Sequence, residues 1–327
     1  MTENLAIGNK ILVLGCSGSG KSVFAGKLRE KTGLPLIHLD NIWWRSDRTH
    51  ISREEFDLRL AALLRGDRWI LDGDYSRTYE PRIRACDTVI FLDYGEAVAM
   101  AGIEDRVGQQ RQDIPWTETS LDPELVDLVR NYQTKNHPVL LALLEKYPEK
   151  RRIILHSREE AEIWLSSSVR QATAEEMLRL WGYSDLDHAS PTARYFYDQI
   201  STGNAIFRAL DREGDIIGEL YAFLDIAEDR DFADGTTTAY LCAFRVRREF
   251  RGLGLGSRLM EAVLDELWAR GFRRATIGVD EARNERLYRR LGFTEPVKLC
   301  YLDPCARDEN MAPQWDETGY RLLAKSL

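Results

Sequence analysis

The chain has 327 residues, of which 44% are apolar and 30% charged, a mixture typical of globular proteins and unlike long disordered or collagen-like chains. At roughly 150 residues per domain, this length predicts about two domains. The formal net charge of −8 argues against a general polyanion binder, which would need a basic face for phosphate contacts. A local basic pocket stays compatible with this charge.

Neither a membrane span nor a secretory signal is predicted. No run of about 18 apolar residues occurs, and the start Met1-Thr2-Glu3-Asn4 lacks a basic stretch and an apolar core. The five cysteines are an odd number scattered along the chain, which favours free thiols over disulfides. Cys300 and Cys305 form the only close pair, without the further ligands of a zinc site. We expect a cytoplasmic protein.

Strand and helix patterns alternate through the first half of the chain. Ser52, with Glu55 three residues later, predicts a helix start by a capping box. The predicted strands are 10–14, 36–39, 69–72, 88–93 and 152–156, and the other predicted helices are 21–31, 96–110, 123–146 and 159–165. Such alternation is typical of parallel β-α-β units, so we expect an α/β fold with a doubly wound parallel sheet.

Three serines at 166–168 interrupt this pattern, and we place the boundary to a new fold unit near Ser166. The expected domains are therefore residues 1–166 and 167–327. In the second domain the predicted strands are 205–210, 215–224, 237–246, 275–279 and 320–324, and the predicted helices are 174–181, 255–270 and 284–291.

Residues 15–22, Gly-Cys-Ser-Gly-Ser-Gly-Lys-Ser, match the phosphate-binding pattern G-x-x-x-x-G-K-[ST] between a predicted strand and a predicted helix. The glycines let backbone N–H groups converge on phosphate oxygens at the positive end of the helix. The expected ligand is ATP with Mg²⁺: Lys21 would bind the β- and γ-phosphates, and Ser22 the metal. The binding residues would be Gly15, Gly18, Ser19, Gly20, Lys21 and Ser22. The alternative is a Gly-rich turn without a ligand.

Residues 70–77, Ile-Leu-Asp-Gly-Asp-Tyr-Ser-Arg, resemble the strand-end segment of adenylate kinase-like phosphotransferases. With His38-Leu39-Asp40 and residues 88–93, they resemble the P-loop family called DNA topology modulation proteins, over residues 10–165. The resemblance implies that Asp72 holds the Mg²⁺ shell, that Asp40 faces the acceptor and that Arg77 contacts the transferring phosphate. Taken alone, Asp40 is equally compatible with a strand-end cap.

Arg106 and Arg111 lie where related kinases have a lid that brings cations over the phosphates. Each arginine taken alone is equally compatible with a solvated helix face. The segment is much shorter than the adenylate kinase lid. Whether it closes over the phosphates, and which nucleotide the site prefers, therefore stay open. Trp43 and Trp44 could stack on a flat acceptor, although core packing is the more common role.

A second glycine loop follows the strand predicted to end at Val246. Gly252, Gly254 and Gly256 remove side chains where backbone amides would approach a pyrophosphate at a helix N-terminus. The loop follows several strands, which disfavours a Rossmann fingerprint because that fingerprint belongs to a first β-α unit. Instead, Arg251 and the glycines resemble the R-x-x-G-x-G signature of the GNAT N-acetyltransferase superfamily. Asn284, Tyr288 and Gly292-Phe293 resemble a second pattern of the same superfamily.

This resemblance covers residues 169–327 and implies a mixed-sheet α+β domain that uses acetyl-CoA. Backbone groups of Phe244 and Val246 would pair with the pantetheine arm where two strands splay. The pyrophosphate would be cradled by Arg251, Gly252, Gly254, Gly256 and Ser257. Asn284 would hydrogen-bond near the pantetheine, and Tyr288, one helical turn later, would protonate the leaving thiolate.

The base that removes the amine proton is left open among Glu219, Asp225 and Glu228. The acidic run 228–231 would attract a cationic acceptor such as a polyamine, an aminoglycoside or an N-terminal peptide, or else is a solvated loop. Cys242 is better interpreted as a small buried residue than as a covalent nucleophile.

These features predict a bifunctional enzyme. The first domain would transfer the γ-phosphoryl group of ATP to a small hydroxyl or phosphate acceptor, and the second would acetylate an amine. The alternative is an acetyltransferase regulated by a nucleotide-binding switch module. The expected partners are small-molecule acceptors, without general nucleic-acid or membrane binding, and assembly into a homo-oligomer stays open.

Overall fold

The computed structural model describes residues 7–327, apart from the side chains of residues 282 and 283. The start of the chain, Met1-Thr2-Glu3-Asn4, lies outside the described residues. The chain divides into two compact units, Met1–Ser166 and Ser167–Leu327. Among the residues described, no helix is long and apolar enough to cross a membrane.

A five-stranded parallel sheet forms the centre of the N-terminal unit, as predicted. Its strands are β1 (Lys10–Gly15), β2 (Leu36–His38), β3 (Trp69–Asp72), β4 (Thr88–Leu92) and β5 (Arg151–Leu155), in the order β2-β3-β1-β4-β5. The central strands β3 and β4 are buried along their whole length. This burial is expected for a parallel sheet that helices cover on both faces.

The helices of the N-terminal unit are α1 (Lys21–Thr32), α2 (Asp40–Trp43), α3 (Arg53–Leu64), α4 (Tyr79–Ala85), α5 (Glu96–Glu104), α6 (Pro123–Lys146) and α7 (Arg158–Ser166). Ser52 caps α3 as predicted, because its hydroxyl accepts the backbone N–H of Glu55 at 3.1 Å. The Glu55 carboxylate pairs instead with Arg59, at 2.5 Å. The apolar core between sheet and helices includes Phe56 and Phe91.

The helix predicted over 96–110 ends earlier, at Glu104. Residues 105–122, here called the 105–122 segment, contain no helix or strand. Gly108 adopts a φ of +81°, which is incompatible with a continuing right-handed helix. Its N–H donates to the carbonyl of Glu118 at 2.7 Å, so the chain turns back on itself there.

The C-terminal unit contains a seven-stranded mixed sheet. Its strands are β6 (Ser167–Gln171), β7 (Ala205–Arg212), β8 (Asp215–Phe223), β9 (Thr238–Val246), β10 (Arg274–Val279), β11 (Glu295–Arg307) and β12 (Pro313–Ser326). The order is β11-β12-β10-β9-β8-β7-β6. Only the β9–β10 pair is parallel in this sheet, which lies wholly within the described residues.

The helices of this unit are α8 (Ala174–Leu180), α9 (Pro191–Ser201), α10 (Leu255–Ala269) and α11 (Ala282–Arg290). Helix α9 was not predicted from sequence, although the Ser190 hydroxyl caps it and Pro191 occupies its first turn. Strand β11 was not predicted either. Its pairing with β12 carries several register shifts, and such bulges obscure the alternation of apolar and polar residues.

Candidate active sites

The first site lies at the carboxyl ends of the parallel strands. Strand β1 ends at Gly15, and the loop leads directly into α1. Strands β3 and β4 flank β1 on opposite sides, so the loop opens where the chain connections diverge. Open α/β sheets bind ligands at such a point. The phosphate-binding loop predicted from sequence therefore has the strand–turn–helix setting that its motif requires.

Close packing fixes the path of this loop. Gly18 has a φ of +85°, and a Cβ atom there would collide with the carbonyl oxygen of Ala99. A Cβ atom on Gly15 would lie 2.8 Å from the hydroxyl oxygen of Ser19. Both positions consequently need glycine, because neither has room for a Cβ atom. Gly18 also needs it because its positive φ is unfavourable for other residues.

A cavity of about 670 Å³ opens in front of the loop. Of the predicted residues, Gly18, Ser19, Gly20, Lys21, Ser22, Arg106 and Arg111 line it. Four further residues line the cavity without a role predicted from sequence: His38, Tyr94, Asp113 and Arg158. The cavity thus brings together the loop lysine and two of the three predicted phosphate-binding arginines.

Ser19 is buried in this cavity wall, only 2% exposed, and its hydroxyl oxygen has no hydrogen-bond partner in the described part of the chain. Lys21 is buried as well. A buried hydroxyl without a partner costs free energy, which a ligand oxygen would recover. These residues, together with the first turn of α1, fit a phosphate group.

Ser22 donates a hydrogen bond to a carboxylate from the 105–122 segment, with 2.9 Å between Ser22 Oγ and Asp113 Oδ2. Arg111 binds the same carboxylate and also pairs with Glu118, at 2.9 Å. Burial alone would raise the pKa of Asp113, but the hydrogen bond and charge of Arg111 outweigh burial and lower it. Burial, assisted by repulsion from Arg111, lowers the pKa of Arg106.

Asp72 does not line the cavity; its Oδ2 atom lies 2.8 Å from Nδ1 of His38. Burial alone would lower the pKa of His38, but the hydrogen bond and charge of Asp72 outweigh it and raise the pKa. Asp40 lies outside the cavity lining too, and accepts a hydrogen bond from the Tyr75 hydroxyl at 2.7 Å. Burial raises the pKa of Asp40, against the favourable charge of Lys21.

Arg77 is not a lining residue of the cavity. Its guanidinium makes two hydrogen bonds to the Asp57 carboxylate, at 2.8 and 2.7 Å, on the protein surface. Trp43 packs edge-on against Phe56 and stacks on His50, with ring centroids 4.5 Å apart. The environment of Trp43 is thus aromatic packing within the N-terminal unit.

The second site lies where β9 leaves β10. The two strands pair in parallel only as far as Leu241 and Ile277, among the residues the structure describes. Opposite β8, the register shifts so that Ala243 and Phe244 together face a single residue, and Ala243 has a φ of +49°. A bulge of this kind bends a strand and exposes its edge. Phe244 and Val246, the predicted pantetheine-binding residues, follow this bend.

The glycine loop folds back onto the end of β9. The Arg251 Nε atom donates to the carbonyl oxygen of Val246 at 2.8 Å. Gly252 and Gly254 adopt φ values of +88° and +76°, and Gly254 is the N-cap of α10. Ser257 lies in the first turn of α10. The backbone N–H groups of this turn therefore emerge beside the bend of β9.

Tyr288 lies on α11 and is 9% exposed. Its ring centroid is 6.4 Å from that of Phe244 and 6.4 Å from that of Phe293. Burial raises the pKa of Tyr288 to about 12. Its hydroxyl makes no hydrogen bond with another described residue. Asn284, one turn earlier, donates to Asp280 at 3.2 Å.

The three candidate bases are already partnered. Glu219 is buried and accepts hydrogen bonds from Trp181, Tyr221 and Arg245 at 2.9, 2.8 and 3.0 Å. Asp225 pairs with Arg230, and Glu228 lies 3.4 Å from Arg307.

The acidic run 228–231 is likewise balanced by cations. The Lys298 ammonium group contacts both Asp229 and Asp231, with its shortest distances at 2.5 and 2.8 Å. All five cysteines are free thiols. No group of three or more His, Cys, Asp or Glu side chains could hold a metal ion within the described residues. Any cation at the first site would therefore depend on ligand oxygens in addition to Ser22.

Known proteins resemble the C-terminal unit. The acetyltransferase (GNAT) family model matches residues 170–293. No curated protein matches the chain significantly. The match does not extend to the N-terminal unit, whose resemblance to P-loop kinases stays a prediction.

Solved structures resemble about half of the chain. An acetyl-CoA-bound GNAT family acetyltransferase from Elizabethkingia anophelis is 19% identical, over 50% of this chain and 99% of that one, with a TM-score of 0.32. An IAA acetyltransferase from Bacillus cereus is 15% identical, over 50% of this chain and 100% of that one, with a TM-score of 0.33.

A third structure is a Salmonella typhimurium acetyltransferase that modifies the N-terminal serine of ribosomal protein L7/L12. It is 15% identical, over 50% of this chain and 95% of that one, with a TM-score of 0.34. At 15–19% identity and TM-scores below 0.5, these structures do not show a shared function. The family match, in contrast, covers the glycine loop and Tyr288. The C-terminal unit of this chain thus contains an acetyltransferase domain of the GNAT family.

Proposed function

We propose that the C-terminal domain transfers an acetyl group from acetyl-CoA to an amine. The observation that carries this proposal is the bent edge of β9, which lies beside the glycine loop and the buried Tyr288. The strand edge would bind the pantetheine amides, and the first turn of α10 would bind the pyrophosphate. Arg251 and Ser257 are the proposed side-chain contributors at the pyrophosphate, and Asn284 at the pantetheine.

In the proposed reaction, the amine nitrogen attacks the thioester carbonyl carbon and the carbon–sulfur bond breaks. The pKa of Tyr288, about 12, lies above the roughly 8.5 of an ordinary thiol. Tyr288 therefore keeps its proton at neutral pH and stabilises the leaving sulfur mainly by donating a hydrogen bond to it. The proton that ends on sulfur is balanced by the one that the amine loses.

Selection of a cationic acceptor by the acidic run receives no support from its surroundings, because Lys298 and Arg307 offset much of its charge. We infer an acceptor that is recognised by shape and hydrogen bonds rather than by net charge. Turnover of matched neutral and cationic amines at low and high salt tests this inference. A strong, salt-sensitive preference for the cationic amine would contradict it.

We infer further that the N-terminal unit binds ATP with Mg²⁺ and transfers its γ-phosphoryl group to a small hydroxyl or phosphate acceptor. The buried, unpartnered Ser19 hydroxyl beside Lys21 supports this proposal, as do Arg106 and Arg111 in the same cavity. Phosphoryl transfer needs such cations because charge accumulates on the transferring oxygens. Asp40, near Lys21, is the proposed acceptor-side carboxylate.

The alternative is that this unit is a nucleotide-binding switch for the acetyltransferase. A mass-spectrometric screen of amines and hydroxylated metabolites separates the two, with ATP and acetyl-CoA supplied singly and together. Phosphorylated products that need only ATP favour the kinase. ATP-stimulated acetylation without any phosphorylated product favours the switch.

A further inference from the structure

The hydrogen bond between Ser22 and Asp113 joins two parts of the chain that are 91 residues apart. Asp113 is 3% exposed, and its second oxygen accepts from the Nε atom of Arg111 at 2.9 Å. The carboxylate is therefore held between the phosphate-binding loop and an arginine of its own segment.

A serine hydroxyl has one proton to donate and two lone pairs. Because Ser22 gives its proton to Asp113, both lone pairs of Ser22 Oγ are left for a cation. Partners that orient a metal ligand in this way control metal affinity, although they do not touch the metal themselves.

Asp72, the carboxylate that the sequence resemblance assigned to Mg²⁺, makes a different contact. Its Oδ2 atom lies 2.8 Å from His38, and no hydrogen bond joins it to Ser22 within the described residues. Of the two carboxylates, Asp113 is the one that contacts the Ser22 hydroxyl and lines the cavity.

Further contacts fix the 105–122 segment next to the loop. The side-chain amide of Asn41 donates to the backbone carbonyl of Gln112 at 3.0 Å. Trp116 packs edge-on against Trp44, with ring centroids 5.5 Å apart. Removal of the Asp113 carboxylate alone would thus leave the segment attached at other points.

We propose that Asp113 is a positioning residue for Mg²⁺–nucleotide: it holds the Ser22 hydroxyl with its oxygen lone pairs free for the cation. This inference rests on the proposed nucleotide-binding function of the N-terminal unit. It links metal-dependent nucleotide affinity to the 105–122 segment, which lies far from the loop in sequence.

The test uses the full-length protein and a fluorescent ATP analogue, whose dissociation constant is measured with Mg²⁺ and again with EDTA. Mg²⁺ should strengthen binding to the wild type. In Asp113→Ala this Mg²⁺ enhancement should fall by about tenfold or more, because lost orienting partners cost metal sites about 10–100-fold. Asp113→Asn should lose less of it, because the amide oxygen can still accept the Ser22 proton. The affinity in EDTA should be unchanged.

Glu118→Gln is the matched control, because Glu118 also binds Arg111 but does not contact Ser22. It should keep the full Mg²⁺ enhancement. Ser22→Ala should lose the enhancement, and adding Asp113→Ala to it should cause no further loss, since both changes break one interaction. Thermal melting of each variant confirms folding.

Equal Mg²⁺ enhancement in Asp113→Ala and wild type would overturn the proposal. An equal loss of affinity with and without Mg²⁺ would also overturn it, because Asp113 would then only support the fold. If the wild type binds no nucleotide in either condition, the proposed nucleotide-binding function itself fails.

Discussion

Phe244 lies directly against Gly256: a Cβ atom on Gly256 would approach Cζ of Phe244 to 3.2 Å. The first turn of α10 thus packs closely on the bent end of β9. Gly256→Val should displace Phe244 and raise the KM for acetyl-CoA by about tenfold or more, because small misplacements of binding groups are costly. Steady-state assays of free thiol release give this value.

Gly256→Ala is the milder comparison. The one tight approach of its Cβ is to the tip of a movable ring, and the Val246 side chain at 3.5 Å is in ordinary contact. It should change the KM far less than the valine variant. Equal KM values for Gly256→Val and wild type would show that this contact does not shape the coenzyme A site.

Lys21→Ala should abolish nucleotide binding, because it removes the buried cation of the phosphate loop. Lys27→Ala is its control: Lys27 also lines the cavity but is exposed and pairs with Glu162 at 2.6 Å. Equilibrium binding of labelled ATP measures both. Nucleotide binding by Lys21→Ala at wild-type affinity would contradict the assignment.

The Asp40 carboxylate should lower the stability of the protein at neutral pH. Burial raises its pKa in the folded state, so the folded protein binds this proton more tightly than the unfolded chain does. The contribution of Asp40 to the free energy of unfolding therefore falls as the pH rises from the pKa in the unfolded chain to the pKa in the folded protein.

Asp40→Asn should consequently raise the Tm at pH 8, by about 2–4 °C for each kcal/mol recovered. The gain should shrink as the pH falls toward 4 and the wild-type carboxyl becomes protonated. Tyr75 can still donate to the amide oxygen, so that hydrogen bond is kept. A Tm that drops at pH 8 would show that ionised Asp40 stabilises the fold.

Local patterns allowed much of the fold to be predicted from sequence. Both ends of α6 agree with the prediction. Its start is marked in the sequence by the Asp122 cap and by Pro123. The end of α5 was mispredicted, because the turn at Gly108 depends on a hydrogen bond to Glu118. Helix propensity over a short stretch of sequence contains no information on such contacts.

The same limit applies to the sites. The loop residues from Gly18 to Ser22 could be identified because one local motif contains them all. Asp113 could not be identified in this way, since its contact with Ser22 spans 91 residues. Arg77 was assigned by analogy, and only the structure reveals its pairing with Asp57.

Acetyl transfer by full-length protein, with wild type and Tyr288→Phe compared, tests the central claim most directly. Phenylalanine keeps the packing against Phe244 and Phe293 but removes the hydroxyl. With an amine found by the screen, kcat should fall by about 10²-fold, the typical cost of losing one donor to developing charge, while the KM for acetyl-CoA stays the same. Because the pKa of Tyr288 is about 12, wild-type kcat should not decline between pH 8 and pH 10. A kcat for Tyr288→Phe equal to that of the wild type would contradict the account.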